Sequence, residues 1–118
     1  MRTINFSYNW NNKLDNKVFT TIRSRFIPIE PGTSVTIALK NKTYCFAKVK
    51  ECILCKFADI NPLIIYLDTG YSPAEAYEIF KNMGLDINDK NQDCMLLIFE
   101  RAHKPIDDQL KCLFTQML

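Results

Sequence analysis

The segment KVFTTIR, residues 17–23, brings a lysine, two threonines and an arginine close together in sequence. In a regular strand Phe19, Thr21 and Arg23 share one face, and Lys17 lies beside that face at the start of the strand. A threonine hydroxyl beside two cations suits an anion or a nucleobase, because guanidinium donors match phosphate oxygens and base edges. The alternative is a solvent-exposed strand whose β-branched residues reflect propensity alone.

A second candidate surface lies in residues 43–50, where alternate residues share a face of a predicted strand. Tyr44, Phe46, Lys48 and Lys50 fall on one of these faces. Aromatic rings beside lysines form platforms on which bases stack, each base contributing roughly 1–3 kcal/mol. The alternative buries the rings in the core and leaves the lysines at the strand end.

Five cysteines raise the question of a metal site, and Cys52 and Cys55 have the spacing of half a zinc knuckle. In a strand, however, residues three apart point to opposite faces, so the two sulfur atoms diverge. The other cysteines stand singly in apolar runs, and His103 is the only histidine. The sequence therefore predicts no metal and no cofactor, and it indicates buried, reduced cysteines.

Predicted secondary-structure elements position these candidate residues. Along the chain, strands come first and most of the helices come later. Strands are predicted at 4–8, 17–23, 34–39, 43–50 and 94–99, and helices at 61–67, 72–83 and about 105–117. Ser72, Pro73 and Glu75 have the spacing of a capping box that opens the second helix. The order predicts one α+β domain built on a curled sheet.

The composition bounds the class of protein. With 118 residues, 47% hydrophobic and 24% charged, the chain suits one globular domain and not a disordered or fibrous one. No apolar stretch approaches the roughly 20 residues that cross a bilayer. The first ten residues also lack the apolar core of a signal peptide. The sequence therefore predicts a cytoplasmic protein with no membrane partner.

Charge is distributed unevenly along the chain. Residues 1–56 contain ten basic and three acidic residues, a net charge of +7. Residues 57–118 contain five basic and ten acidic residues, a net charge of −5, so the total is only +2. Such sorting can present one positive face that attracts phosphate. The alternative is that the two halves interleave in space and neutralise each other.

Three stretches together resemble the ASCH family of the PUA-like superfamily. They are LDNKVFTTIR, the proline-glycine turn with PGTSVTIAL, and YCFAKVKECILCKF. Residues 68–83 are similar to the family's helical insert and residues 93–100 to its last strand, so the likeness covers about 4–101. The resemblance implies a small curled β-barrel with flanking helices, and a cleft that binds RNA or a nucleoside-like ligand. The C-terminal helix at about 105–117 lies outside it.

Some small ASCH proteins remove the acyl group from acetylated cytidine. The resemblance implies that they use a lysine, a threonine nucleophile three residues later and a downstream acidic residue. Aligned on the threonine-isoleucine-arginine motif, the nucleophile is Thr21 and the position three residues earlier is Val18. Lys17 is one residue earlier still, and Asp68 stands in for the acid. A shift of one residue on a strand reverses the face, unless a bulge restores it.

Two functions are therefore expected. The first is an RNA- or nucleotide-binding domain with a positively charged cleft; its ligand-binding residues are Lys17, Thr21, Arg23, Arg25, Tyr44, Lys48 and Lys50. The alternative is an amidohydrolase acting on a modified nucleoside, with Thr21 attacking, Lys17 as base and Asp68 orienting it. A homodimer formed through the apolar C-terminal helix is a further expectation.

Overall fold

The computed structural model describes residues 1–25 and 27–102, which form one five-stranded mixed sheet with helices. The strands are β1 Arg2–Phe6, β2 Val18–Arg23, β3 Ser34–Leu39, β4 Lys42–Lys56 and β5 Asp93–Ala102, the helices are α1 Pro62–Thr69 and α2 Pro73–Asn82, and 3-10 turns span Trp10–Asp15 and Phe57–Asp59. The predicted α+β class is confirmed. His103, the predicted C-terminal helix and the dimer assigned to it lie outside the described residues.

The strands follow the order β1-β3-β4-β5-β2 across the sheet. β1 is parallel to β3, and the other neighbours are antiparallel. β1 and β2 are therefore the two edges, and the hydrogen-bonded ladder among the described residues does not close into the expected barrel. A side chain links the edges instead, because Arg23 on β2 donates from Nη2 to the Asn5 carbonyl on β1 at 2.9 Å.

Both faces of the sheet carry a hydrophobic core. Phe19 and Leu97 belong to the core on one face, whereas Ile22 and Leu96 belong to the core that packs under the helices. Neighbouring residues of one strand enter opposite cores because side chains alternate along a strand. β5 lies between β4 and β2, so the predicted central strand buried on both faces is confirmed.

β4 is longer than the predicted strand at 43–50 and continues to Lys56. The predicted alternation is confirmed, since Cys45, Ala47 and Val49 are buried. The pairing with β5 shifts register between Val49 and Glu51, which marks a bulge at Lys50. The two cysteines with the spacing of half a zinc knuckle lie past the bulge and point to opposite faces. Cys52 packs on one core and Cys55 on the other.

Both helices begin within one residue of the predicted start, but α1 continues two residues past its predicted end at 67, and α2 ends one residue before 83. Ser72 accepts a hydrogen bond from the Glu75 backbone N–H, and the Glu75 side chain accepts one from the Ser72 N–H, so the capping box is confirmed. Gly70 follows the last residue of α1 and caps the helix with a φ of 83°, a conformation that favours glycine. None of the helices in residues 1–25 and 27–102 combines the length and the apolar character that crossing a bilayer requires.

The two halves of the chain interleave, which is the alternative that the charge distribution left open. β5, from the acidic half, lies between β4 and β2 of the basic half. Each ion pair among the described residues joins the two halves: Lys13 with Asp68, Lys50 with Glu100, and Lys56 with Asp93. The positive half is therefore partly neutralised by its neighbours in space.

Candidate functional site

A cavity of about 610 Å³ opens where β1, β2 and the two helices meet. Its wall combines aromatic rings with charged side chains: Phe6, Tyr8, Trp10, Lys13, Arg23 and Asp68. Thr21 also lines it, and so does the exposed Arg25, two residues beyond the end of β2. The volume lies within the roughly 300–1,000 Å³ of small-molecule sites.

A buried ion pair lies at this cavity. Lys13 Nζ is 2.8 Å from Asp68 Oδ1, and the two side chains are only 4% and 5% exposed. The Thr20 hydroxyl donates to the same Asp68 oxygen at 2.7 Å. A buried charge needs such partners, because desolvation of an unpaired carboxylate or ammonium is very unfavourable. The pair therefore fixes β2, α1 and the loop before β2 relative to one another.

The turn Trp10–Asp15 directs Lys13 into the cavity. Asn11 and Asn12 adopt φ of 57° and 51°, a left-handed conformation that asparagine tolerates better than most residues. Leu14 is fully buried and anchors the turn in the core. The chain therefore reverses tightly beside Lys13, which turns this lysine inward although it belongs to a polar loop.

Helix α1 supplies the acidic partner. Asn61 caps the helix by accepting a hydrogen bond from the Leu63 backbone N–H at 2.9 Å. Ile65, Asp68 and Thr69 are buried, and their spacing places them on one side of the helix. Asp68 thus faces β2 because the apolar Ile65, one turn earlier, anchors the same side of the helix in the core.

Arg23 and Thr21 form the second polar group of the cavity. Arg23 Nε donates to Thr21 Oγ1 at 3.0 Å, so the two residues share a face of β2 as predicted. The guanidinium carbon also lies 4.9 Å from the centre of the Phe6 ring, a cation–π distance. A guanidinium has five N–H donors, and the bonds to Thr21 and Asn5 use two of them.

Burial changes the acid–base properties of both cations. It lowers the pKa of Lys13 below its ordinary value of 10.5, although the charge and hydrogen bond of Asp68 act in the opposite direction. Burial likewise lowers the pKa of Arg23, again opposed by Asp68. Arginine remains protonated at neutral pH even so. Lys13 is therefore the cation of the cavity that can give up a proton most readily.

The structure brings together Thr21, Arg23 and Arg25, which are predicted ligand-binding residues, and Asp68, which is predicted only for the alternative hydrolase. It places the remaining predicted residues elsewhere: Lys17, Tyr44, Lys48 and Lys50 do not line the cavity. Lys17 is exposed just before β2, and its carbonyl accepts a hydrogen bond from the Arg101 backbone N–H at 2.7 Å. The expected base at Lys17 is therefore corrected, because β2 begins one residue later and Lys17 points to solvent.

The platform expected on β4 takes part in other contacts. The Tyr44 hydroxyl donates to Asp15 at short distance, and Lys50 pairs with Glu100 at 3.6 Å. Lys48 is exposed opposite Ser34 and Glu100 in the sheet. These residues lie on the outward face of β4. Because β5 separates β4 from β2 in the sheet, they form no common site with Thr21 on β2.

Lys13 and the rings of Tyr8 and Trp10 are the site residues that sequence reasoning missed. The sequence predicts that Tyr8 continues the first strand, but β1 ends at Phe6, whose partner Leu39 is the last residue of β3. Tyr8 is therefore outside the sheet, with its ring centre 4.6 Å from that of Trp10. The available signal was a lysine between two apolar anchors, Trp10 and Leu14, in an asparagine-rich loop.

Comparisons with known proteins add no further constraint. The chain matches no protein-family model, no curated protein and no solved structure. The resemblance to the ASCH family therefore stays a prediction carried by the quoted residues, and the geometry of the cavity is the basis for assigning a function.

Proposed function

We propose that this chain is an ASCH-like domain whose cavity binds a nucleoside or nucleotide, either as a small molecule or as an unpaired base of RNA. One observation carries the proposal: Arg23 and Lys13 lie in the same cavity as the rings of Phe6, Tyr8 and Trp10. Cations and aromatic rings together match the two parts of a nucleotide, its phosphate and its base.

The sheet geometry supports the PUA-like part of the proposal. The β1 and β2 edges approach closely enough for Arg23 to reach the Asn5 carbonyl, and the rings of Phe6 and Phe19 lie 6.5 Å apart across the same gap. The proposal includes a curled sheet whose two edge strands, β1 and β2, are joined by these side-chain contacts into a barrel. We also include a cytoplasmic location, a reducing compartment in which neighbouring cysteines such as Cys55 and Cys94 stay as thiols.

Trp10 allows a direct test, because it is the only tryptophan and it lines the cavity. Titration with the four ribonucleosides and their 5′-monophosphates should change its fluorescence saturably for at least one of them. Replacing a charged hydrogen-bond donor removes roughly 1.5–3 kcal/mol, so Arg23→Gln should weaken that binding at least about tenfold. Lys48→Gln, outside the cavity, is the matched control and should bind normally.

The proposal also makes a prediction about ionic strength. A 5′-monophosphate should bind more weakly as salt increases, whereas the corresponding uncharged nucleoside should be much less affected. If no nucleoside, nucleotide or short single-stranded RNA changes Trp10 fluorescence or releases heat at millimolar concentration and low salt, the proposed function is wrong.

A second candidate function is hydrolysis of an acylated nucleoside such as acetylated cytidine. The observation that favours it is the presence of Thr21 and of Lys13, with its lowered pKa, in one cavity. In this reaction Thr21 Oγ attacks the acyl carbon, and the deprotonated fraction of Lys13 accepts the hydroxyl proton. The amine then leaves with that proton, and water hydrolyses the acyl-threonine ester. Lys13 replaces the base that sequence reasoning assigned to Lys17.

The hydrolase candidate is tested with acetylated cytidine and chromatographic detection of cytidine. Thr21→Val should abolish product formation, whereas Thr21→Ser, which keeps a hydroxyl, should retain part of it. Lys13→Met should also abolish activity, and Lys17→Met should not. If the wild-type protein binds acetylated cytidine but releases no cytidine over hours, the chain is a binding domain and the second candidate is rejected.

A further inference from the structure

A smaller cleft of about 270 Å³ adjoins the cavity on the side of the turn Trp10–Asp15. We call it the aromatic cleft; it is lined chiefly by Tyr8, Trp10, Tyr71, Asn11, Asn12 and Gly70. Tyr8, Trp10 and Thr69 line both spaces, so the cleft and the cavity are neighbours. Two linked groups of one ligand could therefore occupy the two spaces side by side.

Three aromatic rings form a connected group in the cleft. The ring centres of Tyr8 and Trp10 are 4.6 Å apart, and those of Trp10 and Tyr71 are 6.4 Å apart. The side chains are not hidden in the core, since Tyr8 is 53% and Tyr71 is 43% exposed. Grouped aromatic residues at the surface commonly mark a binding site, because their apolar faces gain from being covered.

The lining of the cleft differs from that of the cavity in charge. The cavity contains Lys13, Arg23 and Asp68, whereas the cleft is lined by aromatic, asparagine, threonine and glycine residues, which are uncharged at neutral pH. Asparagine amides both donate and accept hydrogen bonds, as base edges do. The cleft therefore suits a neutral, flat group, and a phosphate fits the cavity better.

The backbone of the cleft is held in a fixed shape. Asn11 and Asn12 have left-handed φ, and Asn11 Nδ2 donates to the Leu67 carbonyl at 3.3 Å, which ties the turn to α1. A Cβ atom on Gly70 would lie 3.2 Å from the Asn11 side chain, so the two walls already touch. Residues in sparsely populated conformations concentrate at functional sites.

We propose that the aromatic cleft binds a second nucleobase, adjacent to the one in the cavity, so that the ligand contains at least two linked nucleosides. This inference rests on the proposed nucleoside binding and deepens it. The cavity receives one nucleoside and the linking phosphate beside its cations, while the neighbouring base stacks against Tyr71 and Tyr8.

The test compares single nucleosides with dinucleoside monophosphates of all sixteen sequences, using calorimetry. At least one dinucleoside monophosphate should bind about tenfold more tightly than either of its component nucleosides or 5′-monophosphates. Tyr71→Ala should remove this gain and leave the affinity for the single nucleoside unchanged. Tyr66→Ala is the matched control, because Tyr66 is 53% exposed on α1 and lines neither space.

The outcomes separate this inference from the function on which it rests. If no single nucleoside and no dinucleoside monophosphate binds, the proposed function itself has failed, and this inference fails with it. If single nucleosides bind but dinucleoside monophosphates bind no better than 5′-monophosphates, only the second-base inference is overturned. Tyr71-dependent binding of a neutral disaccharide such as maltose would also overturn it, because the cleft would then be a sugar site.

Discussion

Lys13 Nζ lies 2.8 Å from Asp68 Oδ1, although 55 residues separate the two positions in the chain. The pair joins a polar loop to the inner side of α1, and the hydroxyl of Thr20 on β2 completes its hydrogen bonds. Because both charges are almost excluded from water, each is tolerated only in the presence of the other. This relationship determines the shape of the candidate site and its sensitivity to substitution.

Removing one member of the pair should destabilise the fold strongly. Lys13→Met leaves the Asp68 carboxylate buried without its cation, so the free energy of unfolding should fall by about 3–5 kcal/mol. Urea unfolding followed by Trp10 fluorescence measures this change. Lys17→Met, at an exposed position, is the control and should stay within about 0.5 kcal/mol of the wild type.

Substitutions at Asp68 and Lys13 should have non-additive effects on the free energy of unfolding. Asp68→Asn keeps an oxygen that can accept from Thr20 but removes the negative charge. Combined with Lys13→Met, it should lose clearly less stability than the sum of the two single variants, because no unpaired charge remains. Additive losses in this double-mutant cycle would show that the two side chains do not depend on each other.

Stability should also depend on pH through Lys13. Burial lowers its folded-state pKa below 10.5, the ordinary value that applies to the unfolded chain. Between these two values the unfolded state binds more protons than the folded state, so stability from this group rises with pH. The difference in unfolding free energy between wild type and Lys13→Met should therefore increase as pH approaches 10.5. A difference that falls over this range would contradict the lowered pKa.

Sequence reasoning succeeded where local chemistry determines local structure. The alternation before Lys50, the Ser72 capping box and the apolar run before Glu100 each predict an element that the structure contains. Thr21 and Arg23 were grouped correctly, because two residues apart on a strand they must share a face.

The buried lysine of the cavity could not be predicted in the same way. Lys13 and Lys17 are both lysines near the start of β2, and the position of Lys13 between Trp10 and Leu14 does not by itself decide which of them is buried. The choice is made by Asp68, far along the chain, and by the left-handed turn at Asn11 and Asn12. The lysine-to-threonine spacing implied by the resemblance favours Lys17. Such a spacing compares positions along one strand and does not register contacts between distant segments.

Cys94 should be unreactive in the folded protein. Burial, with a smaller contribution from Cys55, raises the pKa of the Cys94 thiol to about 12, so very little thiolate exists at pH 8. Iodoacetamide at that pH should leave Cys94 unmodified under conditions that label the partly exposed Cys52, as peptide mass spectrometry would detect. In concentrated urea both should react. Equal labelling of the two cysteines in the folded state would contradict the burial of Cys94.

Gly70 should tolerate alanine less well than Gly32 does. Both glycines have positive φ, 83° and 94°, so a side chain at either position should cost about 1–2 kcal/mol of unfolding free energy. A Cβ atom at Gly32 meets open space, whereas at Gly70 it would lie 3.2 Å from Asn11. Gly70→Ala must therefore also displace Asn11, and chemical denaturation should show a larger loss for Gly70→Ala than for Gly32→Ala. Equal losses would mean that the Asn11 side chain moves away freely and that this wall of the aromatic cleft is not rigid.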